Sequence, residues 1–229
     1  MLVSIIVPIY NEAAVLPRFL EHLQALRAAD PAGVELVLVD GGSTDSSVQI
    51  IEAAGLACRH ADRGRAAQMN DGTQAARGDL LLFLHADTNI NNTAVAQARQ
   101  AVADGAVGGF FEVRLSSSRP LLSFVGRMIS WRSRLSGVAS GDQAIFVTRA
   151  AFDEVGGYAA LPLFEDVDLS RRLKRLGQFS AVGASVITSA RRWENGGAIQ
   201  TILRMWTLRV LYYCGVSPER LERYYGVAR

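Results

Sequence analysis

Three apolar runs in the sequence each lead into polar and acidic residues. The runs cover residues 2–9, 34–39 and 80–84, and the acidic residues that follow them are Glu12, Asp40 and Asp87. Short apolar runs bounded by polar residues predict buried strands. In an open α/β sheet, ligands bind at the carboxyl edge of the strands, so we expect these side chains to share one site. The pattern indicates a nucleotide together with a divalent cation.

Asp87 is the strongest candidate for a metal ligand because it follows a wholly apolar strand. Mg²⁺ or Mn²⁺ prefers oxygen ligands and is often held by one or two carboxylates plus substrate phosphates. His85 stands at the same strand end, where it either contacts the ribose or a phosphate or has a structural role. Arg63 and Arg65 flank Gly64, and two guanidiniums beside a glycine suit a diphosphate, with a solvated charge pair as the alternative.

The residues after the first two runs suit a nucleoside. A base can stack on Tyr10, while Glu12 can accept a hydrogen bond from a base or ribose donor. Asp40 can accept from the N–H of a pyrimidine ring, or can form a turn or a helix cap. Neither the phosphate-binding loop of ATPases nor the dinucleotide fingerprint of NAD enzymes is present, because residues 40–43 match neither spacing.

Polar groups in the later part of the chain suit an acceptor or a sugar. Gly141, Asp142 and Gln143 stand on a turn before a predicted strand, where they could hydrogen-bond hydroxyl groups. Arg191 and Arg192 add two cations that could close over a diphosphate or form a surface patch.

Three carboxylates lie within four residues at 165–168. One carboxylate held near a hydroxyl could act as a general base. On a helix Glu165 and Asp168 share a face, whereas Asp166 points elsewhere. Glu165 is expected to contact the acceptor or the sugar. Negative charge at the positive end of a helix dipole is the alternative explanation.

Alternating strands and helices position these residues. Helical spacing predicts helices near 13–29, 44–54, 66–77 and 93–104, between strands at 2–9, 34–39, 56–60 and 80–84. The second helix could be capped by Ser43 or Thr44. The alternation predicts an α/β fold with a mostly parallel central sheet flanked by helices.

The regular alternation ends after residue 105. Strands are expected at 107–115, 143–148 and 179–187 and a helix at 165–176, whereas residues 116–139, rich in Ser and Arg, are ambiguous. We expect one domain over 1–229. Its parts would be a nucleotide-binding half at 1–104, an acceptor and catalytic half at 105–197, and an amphipathic helical tail at 198–229.

The composition narrows the possible partners. A formal net charge of +2 is too small to favour nucleic acid. Cys58 and Cys214 fit no metal spacing, and the absence of a secretory signal predicts a cytoplasmic protein.

Residues 198–216 contain Arg204 and Arg209 and predict an amphipathic helix rather than a membrane span. That helix packs on the domain, lies on the inner face of the membrane, or pairs with another subunit.

Four motifs in order carry a resemblance to a known family. They are VPIYNE at 7–12, DGGSTD at 40–45, HADT at 85–88 and FEDVDLSRRL at 164–173. Together they resemble the family 2 glycosyltransferases, which have the GT-A fold of nucleotide-diphospho-sugar transferases. GRAAQMNDG at 64–72 and SGDQAIF at 140–146 resemble a compact bacterial branch of that family without transmembrane helices.

The resemblance implies a donor site for a UDP- or GDP-sugar. The residues implied in holding its nucleoside are Pro8, Tyr10, Glu12 and Asp40. Asp87 matches the metal-binding second Asp of the family's Asp-x-Asp motif, so the resemblance implies Mn²⁺ or Mg²⁺. His85 replaces the first Asp of that motif, and an imidazole cannot supply a carboxylate's charge.

The resemblance also implies an inverting reaction. Asp166 matches the catalytic base, which would deprotonate a hydroxyl of an acceptor that can be lipid-linked. That hydroxyl would attack the anomeric carbon in line with the departing nucleoside diphosphate. Metal and arginines would stabilise the charge that develops on the leaving group.

Two other functions are alternatives to this hypothesis. A nucleotidyltransferase of similar fold would be expected to carry a glycine-rich phosphate loop with a following Lys near residue 10, and none is present. A non-catalytic scaffold that binds a nucleotide sugar or a membrane would not need both Asp87 and Asp166.

Overall fold

The computed structural model describes residues 1–225, except for the side chains at 192 and 195. Its centre is a mixed sheet of eight strands in the order β3-β2-β1-β4-β7-β6-β8-β5. The strands are β1 Val3–Ile9, β2 Val34–Asp40, β3 Cys58–His60, β4 Leu80–Phe83, β5 Thr88–Asn89, β6 Gly108–Leu115, β7 Ile145–Thr148 and β8 Phe179–Thr188. The predicted mostly parallel sheet flanked by helices is confirmed.

Ten helices accompany the sheet within the described residues. The first five are α1 Leu16–Ala29, α2 Ser47–Ala53, α3 Arg65–Ala75, α4 Asn92–Ala103 and α5 Pro120–Ser136. The others are α6 Arg149–Glu154, α7 Glu165–Leu176, α8 Arg191–Asn195, α9 Ala198–Tyr213 and α10 Pro218–Tyr225. A short 3₁₀ turn at Gly141–Gln143 precedes β7.

The pairing of the strands sets which residues meet at the carboxyl edge. β1 pairs in parallel with β2 and β4, so the segments that follow these three strands leave the sheet together. β7 runs antiparallel to β4, and Ile145 at its start pairs with Phe83 at the end of β4. The 3₁₀ turn before β7 therefore lies at the same edge as the residues after β4.

The apolar core lies on both faces of the sheet. Every residue of β1 is buried. Val3, Ile5 and Val7 join one cluster with the buried face of α1, whereas Ile6 joins the cluster that contains residues of α3. Successive side chains of a strand point to opposite faces, so burial on both faces explains why the run carries almost no polar residue.

The ambiguous segment 116–139 is largely the helix α5. Pro120 occupies the first turn, where its missing N–H costs nothing, and Gly137 ends the helix with a φ of 63°. The predicted cap of α2 was wrong. α2 begins at Ser47 after Ser46, whose side chain makes no capping bond. The hydroxyl of Ser43 instead accepts a hydrogen bond from the backbone N–H of Asn11.

The predicted amphipathic helix at 198–216 is present as α9, Ala198–Tyr213. Its buried residues include Thr201 and Leu208, and Leu208 belongs to a small apolar cluster with Leu221 of α10. In the part of the chain that the structure describes, no helix is long and apolar enough to cross a membrane. The division into halves at 1–104 and 105–197 stays a prediction.

Candidate active site

A large cleft lies at the carboxyl edge of the sheet and has a volume of about 1120 Å³. Its walls come from the segment after β1, the start of α3, the segment after β4 and the loop before α7. The polar and aromatic residues of its lining include Tyr10, Asn11, Glu12, Arg63, Arg65, His85, Asp87, Asp142, Glu165 and Trp193. Most of the predicted site residues thus meet in one cavity, and Pro8 lines it as well.

Tyr10 and Arg63 form one wall of the cleft. The Arg63 guanidinium carbon lies 4.4 Å from the centre of the Tyr10 ring, a separation typical of a cation–π contact. Arg63 was expected beside a diphosphate, and the structure places it over the aromatic ring instead. A planar base entering this region would find a ring and a guanidinium to stack on.

Glu12 and Asp87 bring two carboxylates to the cleft. Burial raises the pKa of Glu12, and the charge of Asp87 raises it further, although Arg191 opposes both effects. The Arg191 Nη2 atom lies 3.8 Å from Glu12 Oε2, while half of the arginine side chain stays exposed. Two carboxylates that repel each other beside an open cavity create an electrostatic preference for a cation.

The donor set fits a divalent cation that a ligand helps to hold. Within residues 1–225, no group of three or more His, Cys, Asp or Glu side chains could hold a metal alone. Mg²⁺ is commonly bound by one or two carboxylates plus phosphate oxygens. Asp87, with Glu12 nearby, meets that requirement once a diphosphate occupies the cleft.

His85 packs tightly against the 3₁₀ turn. Its Nδ1 atom lies 3.7 Å from Asp142 Oδ1, and only 13% of its side chain is exposed. A Cβ atom at Gly141 would stand 2.4 Å from the His85 Cε1 atom, so the ring requires a glycine at this position. The antiparallel pairing of β7 with β4 produces this contact between residues distant in sequence.

Glu165 is a buried carboxylate in the cleft wall. Only 5% of the residue is exposed. Burial, and next the charge of Asp166, raises the pKa of Glu165 to about 7, although Arg65 opposes the shift. Its Oε1 atom lies 4.0 Å from Arg65 Nη1. Burial disfavours the charged form of Arg65, but the carboxylates led by Glu165 outweigh it and raise the pKa of the guanidinium.

Asp166 is held by backbone amides beside the cleft. Its Oδ2 atom accepts a hydrogen bond of 2.5 Å from the Gly141 N–H, and its Oδ1 atom accepts one of 2.7 Å from the Val167 N–H. These bonds fix the orientation of the carboxylate and tie the start of α7 to the 3₁₀ turn. Glu165 and Asp142 contribute to the cleft lining, whereas Asp166 is turned to the Gly141 backbone.

Strained backbone surrounds this group of residues. Within the described chain, the non-glycine residues with positive φ are Asn11 at 54°, Ala144 at 46° and Phe164 at 67°. Asn11 lines the cleft, Ala144 follows the 3₁₀ turn, and Phe164 precedes Glu165. Such conformations cost free energy and cluster at functional sites, so their positions strengthen the assignment of this cleft.

The side chains of two predicted site residues form hydrogen bonds within the protein. Asp40 is 1% exposed, and its carboxylate accepts from the Gly42 and Ser43 amides, as a turn former does. Gln143 is fully buried, with its amide oxygen accepting from Ser133 Oγ and its nitrogen donating to the Phe111 carbonyl. Their contacts with a nucleotide or an acceptor stay predictions. The side chain of Arg192 lies outside the described residues.

Two residues on α3 have positioning roles that the sequence did not reveal. Gln68 Nε2 donates to the carbonyls of Ile9 and Val39, which joins the ends of β1 and β2. The side chain of Asn70 donates to the carbonyl of Tyr158 and accepts from its N–H. Gln68 could have been recognised from the sequence, because it is a polar residue on the face of a predicted helix that packs against the sheet.

Comparison with known proteins identifies the family. Residues 4–147, well over half of the chain, match the family described as glycosyl transferase family 2. The chain belongs to glycosyl transferase family 2. The matched region contains Tyr10, Glu12 and Asp87 but ends before Glu165 and Asp166.

Curated relatives of this family 2 chain match over its first part. One is an undecaprenyl-phosphate 4-deoxy-4-formamido-L-arabinose transferase of Shewanella sediminis (strain HAW-EB3). It is 41% identical over 95 residues, which cover 37% of this chain and 28% of the relative. Another is a PGL/p-HBAD biosynthesis glycosyltransferase of Mycobacterium bovis (strain BCG / Pasteur 1173P2), 44% identical over 94 residues that cover 38% of this chain and 36% of the relative. The chain thus spans about a third of the length of these relatives.

Solved structures share the fold of this family 2 chain. The mannosyltransferase PcManGT of Pyrobaculum calidifontis, in complex with GDP-Man and Mn²⁺, has a TM-score of 0.64 and 21% identity. That match covers 81% of this chain and 56% of PcManGT. TarS 1–349 of S. aureus, in complex with UDP-GlcNAc, has a TM-score of 0.65 and 20% identity. That match covers 82% of this chain and 58% of the TarS 1–349 chain. At this identity the likeness establishes the GT-A fold.

Proposed function

We propose that this protein transfers a sugar from a nucleoside diphosphate to an acceptor hydroxyl, with a divalent cation, and inverts the anomeric configuration. The observation that carries the proposal is the meeting of two groups of residues in one cleft. Tyr10, Glu12 and Asp87 come from the ends of β1 and β4, whereas Asp142 and Glu165 come from the second part of the chain. A donor site and an acid–base site therefore adjoin.

The donor would occupy the side of the cleft formed by β1, β4 and α3. Its base would stack on the face of the Tyr10 ring opposite Arg63, because the 4.4 Å between the guanidinium and the ring leaves no room for a base between them. Arg65 and Arg191 would contact the diphosphate, because both guanidiniums already lie near carboxylates that face the cleft. UDP- and GDP-sugars are the proposed donors, in line with the nucleotide sugars bound to PcManGT and TarS.

Asp87 and Glu12 would hold Mn²⁺ or Mg²⁺ together with the diphosphate. The cation would supply charge stabilisation on the leaving diphosphate. Arg65 and Arg191 would act on the same negative charge from the protein side. A preorganised set of positive groups around a leaving group is usually a large contributor to catalysis.

Asp166 would accept the proton of the acceptor hydroxyl. The amides of Gly141 and Val167 orient its carboxylate. Glu165 beside it would stay partly protonated near neutral pH, because its pKa is raised to about 7. A protonated Glu165 would donate a hydrogen bond to the acceptor while Asp166 takes the proton of its hydroxyl. The acceptor can be lipid-linked, as the name of the Shewanella relative indicates for that protein.

Calorimetric titration with UDP, GDP and CDP, each with and without Mn²⁺, tests the donor site. We expect one diphosphate to bind at least tenfold more tightly with Mn²⁺, and Asp87→Asn to remove that gain. Asp104→Asn, a change of the same type at the exposed end of α4, is the matched control. Equal affinity with and without the metal would exclude the proposed metal site.

The stereochemical outcome tests the mechanism. Once a donor and an acceptor are found, the anomeric configuration of the first-formed product can be read from NMR coupling constants. A single displacement predicts inversion. Retention of configuration would contradict Asp166 as a base in a one-step transfer.

A further inference from the structure

The helices α5 and α9 each expose a stripe of large apolar side chains. On α5 the stripe is Leu121, Phe124, Trp131 and Leu135, which are 48 to 68% exposed. On α9 it is Ile199, Leu203, Trp206, Val210 and Tyr213, which are 52 to 67% exposed. Residues spaced three, four or seven apart fall on one side of a helix. Each helix thus presents an outward apolar face as well as its buried one.

The two helices meet at one apolar cluster on their inner sides. Leu122 and Val125 on the buried side of α5 form an apolar cluster against which Ile202 of α9 packs. Ten of the thirteen exposed large apolar residues in the described chain lie on these two helices. We call this the α5–α9 face, defined by the two stripes. A concentration of exposed large apolar side chains in one part of a molecule is typical of an interaction site.

The charges of the two helices are of one sign. α5 contains Arg127, Arg132 and Arg134, α9 contains Arg204 and Arg209, and neither helix contains an acidic residue. Arg127 and Arg204 are exposed. Aromatic and aliphatic side chains flanked by arginines, without acidic residues, are typical of helices that lie in the interface of an anionic membrane.

We propose that the α5–α9 face docks on the surface of an anionic lipid bilayer, with Trp131 and Trp206 inserted at the level of the headgroups. A second copy of the chain fits less well, because a two-fold contact through this face would bring arginines against arginines. Docking by itself does not depend on the proposed glycosyl transfer. The sequence suggested that the helix at 198–216 lies on a membrane, and the proposed docking surface includes α5 as well.

Arg132 of α5 links the face to the candidate active site: its Nη2 atom donates a 2.8 Å hydrogen bond to Ser133 Oγ, which in turn donates to Gln143 Oε1 in the 3₁₀ turn. The Arg132 Nε atom is buried without a hydrogen-bond partner among the described residues. Burial, and next the charge of Arg209, lowers the pKa of Arg132 to about 10, while Asp166 opposes the shift. Arg132 therefore lies within electrostatic reach of both α9 and the proposed base. A lipid-linked acceptor held in the bilayer would reach Asp166 from this side, a consequence that rests on the proposed function.

Sedimentation with lipid vesicles tests the docking. We expect the protein to co-sediment with vesicles of phosphatidylcholine and one-third phosphatidylglycerol, and much less with phosphatidylcholine alone. Arg127→Glu combined with Arg204→Glu should reduce the bound fraction by roughly tenfold or more. The control is Arg18→Glu with Arg27→Glu, which gives the same change in net charge on exposed positions of α1. Equal loss in both double variants, or no binding by the wild type, would overturn the proposal.

Tryptophan fluorescence tests insertion directly. The chain has three tryptophans, and Trp131 and Trp206 are 58% and 65% exposed. Binding should shift their emission to shorter wavelength, and brominated acyl chains should quench it. Trp131→Ser with Trp206→Ser should abolish both signals and weaken binding while the circular dichroism spectrum stays unchanged. Unquenched emission, or a dimer in sedimentation equilibrium that this double variant dissociates, would refute docking on lipid.

The nucleotide titration separates this proposal from the proposed function. Both double variants on the α5–α9 face should bind the diphosphate and Mn²⁺ as the wild type does, because none of the four substituted residues lines the cleft. Loss of vesicle binding with intact nucleotide binding supports the surface. Vesicle binding without any nucleotide binding would leave the surface in place and contradict the glycosyltransferase mechanism.

Discussion

Glu165 and Asp166 are neighbours in the chain, yet the fold surrounds their carboxylates differently. Asp166 accepts two backbone hydrogen bonds at the start of α7. Glu165 faces the cleft beside Arg65 and carries a pKa raised to about 7. A sequence cannot distinguish the two, because both are acidic residues in the first turn of one helix. The contacts with Gly141 and Arg65, which come from other parts of the chain, make them different.

Replacement of Asp166 by Asn tests the proposed base. Asn keeps the shape and an oxygen that can accept from the Gly141 amide, but it cannot take a proton. We expect Asp166→Asn to lower the transfer rate by about 10²–10⁴-fold and leave diphosphate affinity unchanged. Asp168→Asn is the matched control, since Asp168 pairs with Arg172 and does not line the cleft. Full activity in Asp166→Asn would eliminate this residue as the base.

Replacement of Glu165 by Gln tests its buried charge through stability. A carboxyl whose folded pKa is raised from 4.5 to about 7 destabilises the folded state as pH rises through that window. Glu165→Gln removes this penalty. The free energy of unfolding of the variant, relative to that of the wild type, should therefore rise by up to about 3 kcal/mol from pH 4.5 to pH 8. Urea unfolding at both pH values measures it, and a pH-independent difference would contradict the raised pKa.

At the scale of the elements, the sequence reveals where strands and helices form better than it reveals which strands pair and in which direction. The apolar runs at 2–9 and 34–39 predicted β1 and β2, because burial leaves little place for polar residues in these strands. α5 was missed because Ser and Arg interrupt its apolar pattern, although Pro120 and Gly137 mark its ends. The antiparallel direction of β7 was not predictable, because it depends on pairing with β4, more than sixty residues earlier.

The link between α3 and the ends of β1 and β2 yields a prediction at this scale. Gln68 donates 2.7 and 2.8 Å hydrogen bonds to the Ile9 and Val39 carbonyls. Gln68→Leu fills similar space but removes both donors, so we expect a loss of about 1–3 kcal/mol in the free energy of unfolding. Diphosphate affinity should fall as well, because Tyr10 follows Ile9 directly.

Gln74→Leu, an exposed position on the same helix, controls for the loss of an amide. It should leave both the free energy of unfolding and the diphosphate affinity within error of the wild type. Equal stability of the two variants would mean that the Gln68 bonds do not hold the strand ends together.

At the scale of the whole molecule, the cleft joins the two predicted halves of the chain. Tyr10 and Asp87 belong to 1–104, while Asp142 and Glu165 belong to 105–197, and all four line the cavity. The shared fold with PcManGT and TarS covers 81% and 82% of this chain. The sequence could predict which residues meet here because strand ends share an edge. It could not show that Asp40 and Gln143 would be engaged by the protein's own backbone and side chains.

A ligand that contacts both halves should stabilise the whole chain against unfolding. At a diphosphate concentration one hundred times its dissociation constant, mass action adds about 2.7 kcal/mol to the stability. For a chain of this size we expect the melting temperature to rise by roughly 5–10 °C in the presence of Mn²⁺. Removal of Mn²⁺ with a chelator, or Asp87→Asn, should abolish most of that rise. Two separate melting transitions, of which only one shifts, would show instead that the ligand contacts a single half.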